Sequence, residues 1–502
     1  MQRSLTFLLL VSVLVVATCG LIYELAAGTL ASYLLGDSIT QFSTIIGVYL
    51  FAMGIGSWLS KFFERNLLAW FIQIEIMVGV VGGCSSAILF LLFPHIEFFR
   101  LLLYLLIFIT GALVGLEIPL LLRILKSKFE FKDLVSKVFT FDYIGALLAS
   151  VVFPLVLVPF LGLVRTSFLF GILNVAVAYI LCHRFREEIP WANYLKGSAL
   201  TVMLLLAGGF AWADEIMTIS ETATYNERVV YSVSSSYQRI VLTKNNHELR
   251  LYLNGNLQFS SQDEYRYHEA LVHPAMQSIH NPSRVLILGG GDGLALREIL
   301  KYPSVDSVTL VDLDPEMTHL FSTNETLRSL NHNSLHSSRL KIVNADAFEW
   351  LRSQRGFYDF ICVDFPDPGN YSVGKLYTLS FYKELARVLA PEGKTVIQST
   401  SPLIAPKSYW CVYHTVEKAG MNAVPYHTYV PSFGEWGFIL GMKETHFSPP
   451  DTFISGLNYL SGPTFLSMME FPHDMSERPT EINKLNNQIL VHYFEDEWAG
   501  YQ

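Results

Sequence analysis

The chain has 502 residues, 51% of them hydrophobic and 16% charged, with a net charge of −9 and a mean hydropathy of +0.35. That balance argues against a purely water-soluble protein and against a nucleic-acid partner, which would need a basic surface to face phosphate. The five cysteines (Cys19, Cys84, Cys182, Cys362, Cys411) show no C-x-x-C spacing, which excludes a disulfide framework and a zinc site as readings.

The charge is divided unevenly: residues 1–213 carry 13 Lys+Arg against 11 Asp+Glu, and residues 214–502 carry 22 against 33. Apolar stretches of spanning length fall near 5–27, 39–60, 67–93, 98–122, 142–161, 164–183 and 196–213, so seven membrane spans are expected. The first is read as a span rather than a cleaved leader. In VATC (16–19), Thr18 is a poor residue before the cysteine, and the apolar run continues beyond it.

Arg3, Lys61, Arg65, Arg123, Lys126, Lys128, Lys132, Lys137, Arg184, Arg186 and Lys196 gather in the loops of one side, with Arg100 and Arg165 on the other. By the positive-inside rule the N-terminus is cytoplasmic, and seven spans then place residues 214–502 outside. Glu24, Glu75, Glu117 and Asp142 sit in or at the edge of the spans, where an ionised side chain costs roughly 2.5–3.5 kcal/mol at mid-helix. Two readings stand: a site for a cation or proton within the bundle, or interfacial carboxylates that cap helices and pair with Arg123 and its neighbours.

From Val229 to Ser260 the sequence alternates apolar and polar residues, with Asn245-Asn246 and Asn254-Gly255 as turns, which predicts a small antiparallel β unit. Strand-like runs then alternate with helical patterns: VLILG (285–289), SVTLVDLD (307–314), LKIVNAD (340–346), YDFICVDF (358–365) and KTVIQS (394–399). This predicts a doubly wound, Rossmann-type parallel sheet, whose ligands sit at the carboxyl ends of the strands. Asp292, Asp312, Asp346 and Asp364 all lie at or just after such ends.

The first of these strands runs into GGGDGLALREILKY (289–302), and Asp312 follows about twenty residues on, where an acid can hydrogen-bond a ribose. It is not a dinucleotide fingerprint, because Leu294 stands where the third glycine belongs and Asp292 would repel a pyrophosphate. A carboxylate in the glycine loop favours a ligand that is cationic near its nucleoside, as S-adenosyl compounds are. His332 and His336 are four apart in a polar, loop-like stretch with no further ligand set, so no metal is expected.

The motifs YQRIVL, NGNLQFSSQDEYRYHEALVHP, LILGGGDGLALREILKYPSVDSVTLVDLD, NADAFEW and DFPDP, followed by LYTLSFYKELARVLAPEG, resemble in order and spacing the polyamine aminopropyltransferase family, whose best-known members are spermidine synthases. The similarity covers roughly residues 225–445, and the N-terminal bundle looks like that of a multi-pass membrane branch. The resemblance implies a methyltransferase-like α/β domain fronted by a small β domain. It also implies aminopropyl transfer from decarboxylated S-adenosylmethionine, a co-substrate rather than a tightly bound cofactor, to an amine such as putrescine, giving spermidine and methylthioadenosine.

On that pattern Gln238, Asp312, Asp346 and Ala347 hold the adenosine, with Asp312 on the ribose. Gln258, Tyr267 and His268 line the amine pocket, Asp292 meets the aminopropyl ammonium, Asp364 accepts the proton and Asp367 anchors the amine. Two positions depart from it: Tyr371 replaces a proline shortly after the DxxDP motif, and Phe433 replaces a tyrosine of the acceptor loop. Glu435 is then either a compensating carboxylate or an exposed loop acid.

The expected organisation is a transmembrane bundle over 1–213, a small β domain over 214–275, a Rossmann-like catalytic domain over 276–445 and a C-terminal extension over 446–502. Two other functions stay open: an S-adenosylmethionine-dependent methyltransferase, and a polyamine transporter or sensor whose soluble half only binds ligand. The partners expected are a small-molecule amine and the lipid of the cell (inner) membrane; homodimerisation stays open. Access to a donor made in the cytoplasm favours a cytoplasmic catalytic half, in conflict with the charge count.

Overall fold

The computed structural model describes residues 2–500 except 36, 37, 97, 127–130, 226, 236, 246 and 247. Lys128 and Asn246 therefore lie outside the described residues, and nothing is described of the Arg3 side chain. The chain forms two units, Met1–Val229 and Val230–Gln502.

The first unit is helical: α1 (Gln2–Leu35), α2 (Ser38–Leu59), α3 (Leu67–Leu92), α4 (Phe99–Leu125), α5 (Phe131–Val152), α6 (Val158–Arg184), α7 (Ala192–Ala211) and α8 (Ala213–Tyr225). Small residues let α2 and α4 approach backbone to backbone. A Cβ on Gly56 would lie 2.0 Å from the Ala112 carbonyl oxygen, and one on Gly115 would lie 2.2 Å from that of Met53.

Six apolar helical runs among the described residues are long enough to cross a membrane, where seven spans were expected. The difference lies in the fifth run, Lys132–Arg184, whose 53 residues contain two expected spans, 142–161 and 164–183. Proline-bearing π-helix over Phe153–Leu157 joins α5 to α6 without interrupting the helical path. The path breaks only at Gly162 (φ 71°, ψ 176°), and α5 and α6 both pack on α1. The helical unit also runs past the expected boundary at 213. Helix α8 packs on α3, and Ser220 Oγ donates to the Phe90 carbonyl at 2.6 Å.

The second unit opens with a four-stranded antiparallel sheet, β1 (Arg228–Ser234), β2 (Arg239–Lys244), β3 (Leu249–Leu253) and β4 (Asn256–Ser260), in the order β1-β2-β3-β4. Asn254 (φ 50°) and Gly255 (φ 84°) make the tight turn between β3 and β4, as the Asn-Gly pair predicts. Helix α9 (Glu264–Ser278) leads into β5 (Arg284–Gly289), α10 (Leu294–Ile299), β6 (Ser307–Asp312), α11 (Pro315–Thr323), α12 (Glu325–Leu330) and β7 (Leu340–Asn344). There follow α13 (Ala347–Ser353), β8 (Tyr358–Asp364), α14 (Tyr371–Gly374), α15 (Leu379–Val388), β9 (Leu389–Gln398), α16 (Pro406–Lys418), β10 (Asn422–Val430) and β11 (Gly434–Met442).

The larger sheet has the order β10-β11-β9-β8-β5-β6-β7, in which β11 runs antiparallel to its neighbours β9 and β10 and the other strands share one direction. The central parallel strands β5 and β8 are nearly all apolar because both faces are covered. Val285 and Ile287 of β5 enter one core and Leu286 and Leu288 the other. The strand order reverses between β5 and β8, which is where such sheets open a crevice.

Residues 446–502, with α17 (Gly462–Met468) and α18 (Ile489–Trp498), are an integral part of this unit. Glu497 of α18 accepts from the backbone N–H groups of Lys407 (2.8 Å) and Ser408 (3.0 Å), satisfying the orphan amides that open α16. Buried Asn483 accepts from the Leu379 amide (2.8 Å) and donates to the Tyr377 carbonyl (3.0 Å).

Candidate active site

The carboxyl ends of β5, β6 and β8 deliver four half-buried carboxylates, Asp292, Asp312, Asp364 and Asp367, to one edge of the sheet. Gly289 is paired in register with Asp364, and a Cβ there would lie 2.1 Å from the Asp364 carbonyl oxygen, so the turn after β5 needs glycine to pass β8. Its φ of 84° needs glycine as well. Two residues further, the Gly291 amide donates to Asp312 Oδ2 at 3.0 Å. The Leu294 amide donates to Asp292 Oδ1 at 2.9 Å, turning that carboxylate at the start of α10.

Tyr267 of α9 donates its hydroxyl to Asp364 Oδ1 at 2.6 Å. The next residue, His268, is buried and bonded through Nδ1 to Glu264 Oε2 (2.7 Å) and to the Glu264 carbonyl (2.8 Å). Burial works against a proton on His268, but the Glu264 bond and charge, with Asp292 and Asp364 nearby, outweigh it and hold the imidazole up at about 9. It is therefore an imidazolium at neutral pH.

Burial pushes Asp292 up to about 6; the His268 charge opposes that rise and the Asp364 charge adds to it. Burial also raises Asp364, against the His268 charge and the Tyr267 hydrogen bond. Asp312 is likewise pushed up to about 6 by burial, although the Asp314 and Gly291 amides favour its ionised form.

Asp367 is pushed up to about 6 by burial and accepts from Gln398 Nε2 (3.1 Å) and the Thr400 hydroxyl (3.3 Å). Gln398, at the end of β9, is itself fixed: it donates to the Phe365 carbonyl (2.7 Å) and accepts from Trp436 Nε1 (3.2 Å).

The remaining expected residues have other partners. Gln238, after β1, donates to Asp314 Oδ2 at 2.9 Å and so ties the small sheet to the turn after β6. Asp346 caps α13 through the Phe348 amide (2.9 Å), with Ala347 buried beside it, and takes an ion pair from Lys375 at 2.5 Å. Burial tends to raise Asp346, but Lys375 and the cap amides more than offset that and hold it below its ordinary value. Gln258, on β4, donates to the Asn256 carbonyl (3.2 Å), a contact within its own strand.

Phe433 packs edge-on against Tyr267, with centroids 6.3 Å apart, so the residue that lacks the expected hydroxyl still walls the tyrosine. Its loop is held to α9 by Asp263, which accepts from the Ser432 amide (2.6 Å) and hydroxyl (2.8 Å). Glu435 is not an exposed loop acid. It sits on β11, mostly buried, and pairs with His427 Nδ1 at 2.5 Å. Tyr371 opens α14 and its hydroxyl meets His492 Nε2 at 3.2 Å.

Sequence reasoning missed the groups that support the edge: Glu264, Arg297, Glu298, Lys375, Gln398 and Thr400. Glu264 carried a local signal in its i,i+4 spacing to His268, and Glu298 in its i,i+3 spacing to Lys301.

A mixed sheet with a glycine turn, an acid at the end of the next strand and further acids at the switch point defines a Rossmann-type α/β enzyme. Residues 264–452 match the spermine/spermidine synthase domain. A polyamine aminopropyltransferase 2 of Ralstonia nicotianae is 54% identical over 501 residues, covering 98% of each chain. A polyamine aminopropyltransferase of Leptospira interrogans is 51% identical over 495 residues, again covering 98% of each. Among solved structures, a spermidine synthase in complex with the transition state analogue AdoDATO is 28% identical, covering 49% of this chain and 86% of that one with a TM-score of 0.46. The chain belongs to the polyamine aminopropyltransferase family.

Proposed function

We propose that the enzyme transfers the aminopropyl group of decarboxylated S-adenosylmethionine to putrescine, giving spermidine and methylthioadenosine. The observation that carries this reading is the Tyr267–Asp364 contact of 2.6 Å on an edge that also presents Asp292 and Asp367, three carboxylates for a dicationic donor and a diamine.

The carbon next to a sulfonium is already electrophilic, so the chain's main task is to align a neutral amine behind the C–S bond. A free alkylamine resembles Lys, with a pKa near ~10.4, so on the order of one molecule in a thousand is neutral at pH 7. Asp364 takes the amine's proton, with Tyr267 fixing the carboxylate. The N–C bond forms, the C–S bond breaks and its electrons leave on methylthioadenosine. Asp292 holds the donor's ammonium and repels the carboxylate that ordinary S-adenosylmethionine would bring there. Asp367, fixed by Gln398 and Thr400, anchors the far ammonium of the diamine. Asp312 binds the ribose, and Asp346 with Ala347 holds the rest of the adenosine.

Purified protein given each donor separately tests the reaction. Methylthioadenosine from the decarboxylated donor supports it, whereas S-adenosylhomocysteine from the ordinary donor would replace it with methyl transfer. Comparing diamines of different length tests the acceptor. A Gly291→Ala variant should bind the donor on the order of tenfold to a hundredfold more weakly, because overpacking of this kind typically costs ~1–3 kcal/mol. The new Cβ would fall 2.6 Å from Asp312 Oδ2 and displace the ribose ligand, which calorimetric titration would detect.

The pH dependence has a definite sign. Asp292 and Asp367 titrate at about 6 and must be ionised to hold ammonium groups. Below about pH 6, kcat/KM should fall by about tenfold per unit, for the amine as Asp367 is protonated and for the donor as Asp292 is. Asp367→Asn should remove one of these acid limbs from the profile; an unchanged profile would count against the anchor role.

The helical unit lies in the cell membrane and the catalytic unit faces the cytoplasm, where the dicationic donor is made. Support comes from the number of passes: with the fifth run taken as two spans divided at Gly162 there are seven, α7 is the least apolar of the runs, and if α7 stays at the surface six remain. An even count returns residues after 213 to the side of the N-terminus. A C-terminal reporter active only in the periplasm would overturn this arrangement.

A further inference from the structure

The helical unit holds a second set of buried polar groups, which aminopropyl transfer does not use. Glu75 of α3 is fully buried and Glu117 of α4 nearly so. Neither carboxylate oxygen of Glu75, nor Oε1 of Glu117, has a hydrogen-bond partner among the described residues. The two acids lie within electrostatic reach of each other and of Cys19 and Tyr23 on α1. Tyr49 on α2 and Asp142 on α5 are within reach of Glu117.

From α6 comes Asn174, fully buried with both amide atoms unpartnered, its Cβ beside Gly79, one turn along α3 from Glu75. The Tyr23 hydroxyl is also buried and unpartnered. Next to this layer is a cavity of about 10 Å³ lined by Tyr23, Tyr49, Ser85 and Thr110 among others, room for about one water.

The reading of these acids as interfacial partners of Arg123 fails for Glu75 and Glu117. Arg123 donates to the Ser60 carbonyl at 2.9 Å, and Arg165 pairs with Asp214 at 2.7 Å. Isolated buried carboxylates are costly, and more so in a bilayer. An occupant that relieves them has to be small and either positive or a hydrogen-bond donor. Among the described residues no three His, Cys, Asp or Glu come together to hold a metal ion, and a cavity sized for one water cannot take a diamine. A proton meets both limits, since it removes one charge and turns an orphan acceptor into a donor.

We propose that Glu75 and Glu117 form a single exchangeable proton-binding site inside the helical unit, beside the cavity lined by Tyr23 and Tyr49. This rests on the helical unit lying in a membrane. The test uses the full chain in lipid vesicles and N,N′-dicyclohexylcarbodiimide, an apolar reagent that adds to protonated carboxyl groups.

The expected result is an adduct on Glu75 or Glu117 by mass spectrometry, with a labelling rate that falls about tenfold per pH unit once the site has lost its proton. Glu75→Gln, isosteric with the protonated acid, should confine the adduct to Glu117, and Glu117→Gln should confine it to Glu75. Both variants should keep aminopropyl transfer, which shows that they fold. No adduct on either residue between about pH 5 and about pH 9, or a rate independent of pH, overturns the proton site while leaving the membrane reading intact. Equal labelling by a water-soluble carbodiimide overturns the membrane reading and this site with it.

Discussion

Replacing Asp364 with Asn should lower kcat by about a thousandfold while changing donor affinity by no more than about threefold, in line with the ~10²–10⁴ contributed by a positioned general base. The amide keeps the shape of the side chain, and its oxygen can still accept the Tyr267 hydroxyl that now lies 2.6 Å from Oδ1. It cannot take a proton from the amine. Because the lost function is deprotonation, residual kcat should climb with pH by about tenfold per unit toward the alkylamine pKa of ~10.4, as solvent supplies more neutral acceptor. Wild-type kcat should be flat over the same range.

Methylthioadenosine release and calorimetric donor binding measure the two halves of this expectation. If both fell together, Asp364 would be a structural ligand of the donor pocket; if kcat fell less than tenfold, the base would lie elsewhere. The substitution also removes a negative charge that raises Asp292. Donor binding in the variant should therefore persist to lower pH, which a purely steric account does not anticipate.

The three acids at about 6 also bear on stability. Asp292, Asp312 and Asp367 bind protons more tightly folded than unfolded. Their contribution is fully favourable only below the unfolded value of 3.8 and is lost as pH rises through about 6. Each shift of roughly two units corresponds to about 3 kcal/mol at neutral pH, borne by the fold to keep bare carboxylates ready for cationic substrates. Asp367→Asn should therefore raise the urea midpoint at pH 7 more than at pH 5.

How much of this was readable in the sequence follows from the range over which each feature is specified. Strands β5, β6 and β8 were visible because a sheet covered on both faces needs uninterrupted apolar runs, and acids placed at their ends fall on one edge by topology alone. The DFPDP stretch after β8 was legible for the same reason: strand order puts it beside the glycine turn, as the Gly289–Asp364 pairing shows.

Glu435 was not legible, because what decides its role is an antiparallel neighbour. β10 brings His427 within 2.5 Å, which no local pattern announces. Nor was Lys375, whose pairing with Asp346 reaches across α13, β8 and α14 in sequence. The gap between the expected spans 142–161 and 164–183 falls on Gly162, where the helical path breaks, while a π-helical turn carries the backbone through Pro154. Residues 446–502 read as an extension, yet Glu497 supplies the cap that α16 lacks in its own sequence.

The second large expectation concerns stability. Arg297→Met should destabilise the catalytic unit by about 3–5 kcal/mol, the usual cost of removing one partner from a buried ion pair. Arg297 is 8% exposed and sits between two buried acids: it forks onto Glu264 at 2.7 and 2.9 Å and reaches Glu298 at 2.9 Å. Methionine fills most of the space and leaves both carboxylates short of a donor.

Burial by itself would raise Glu264, yet His268 and Arg297 together hold it down at about 2. Its stabilisation is thus present above its unfolded value near 4.5 and lost as pH falls through about 2, roughly 3 kcal/mol in all. Without Arg297 that loss should begin at higher pH, so the variant should unfold in milder acid as well as in less urea. Arg297→Lys should recover part of the stability, since it restores charge without the fork. Pairing Arg297→Met with Glu264→Gln should recover more than the single variant retains, because the stranded charge is removed with its partner. The same double variant deprives His268 of the carboxylate that keeps it charged beside Asp292 and Asp364. Recovered stability with depressed kcat/KM would therefore separate the pair's structural role from its electrostatic one. A single variant within about 1 kcal/mol of wild type would show that water already satisfies these acids.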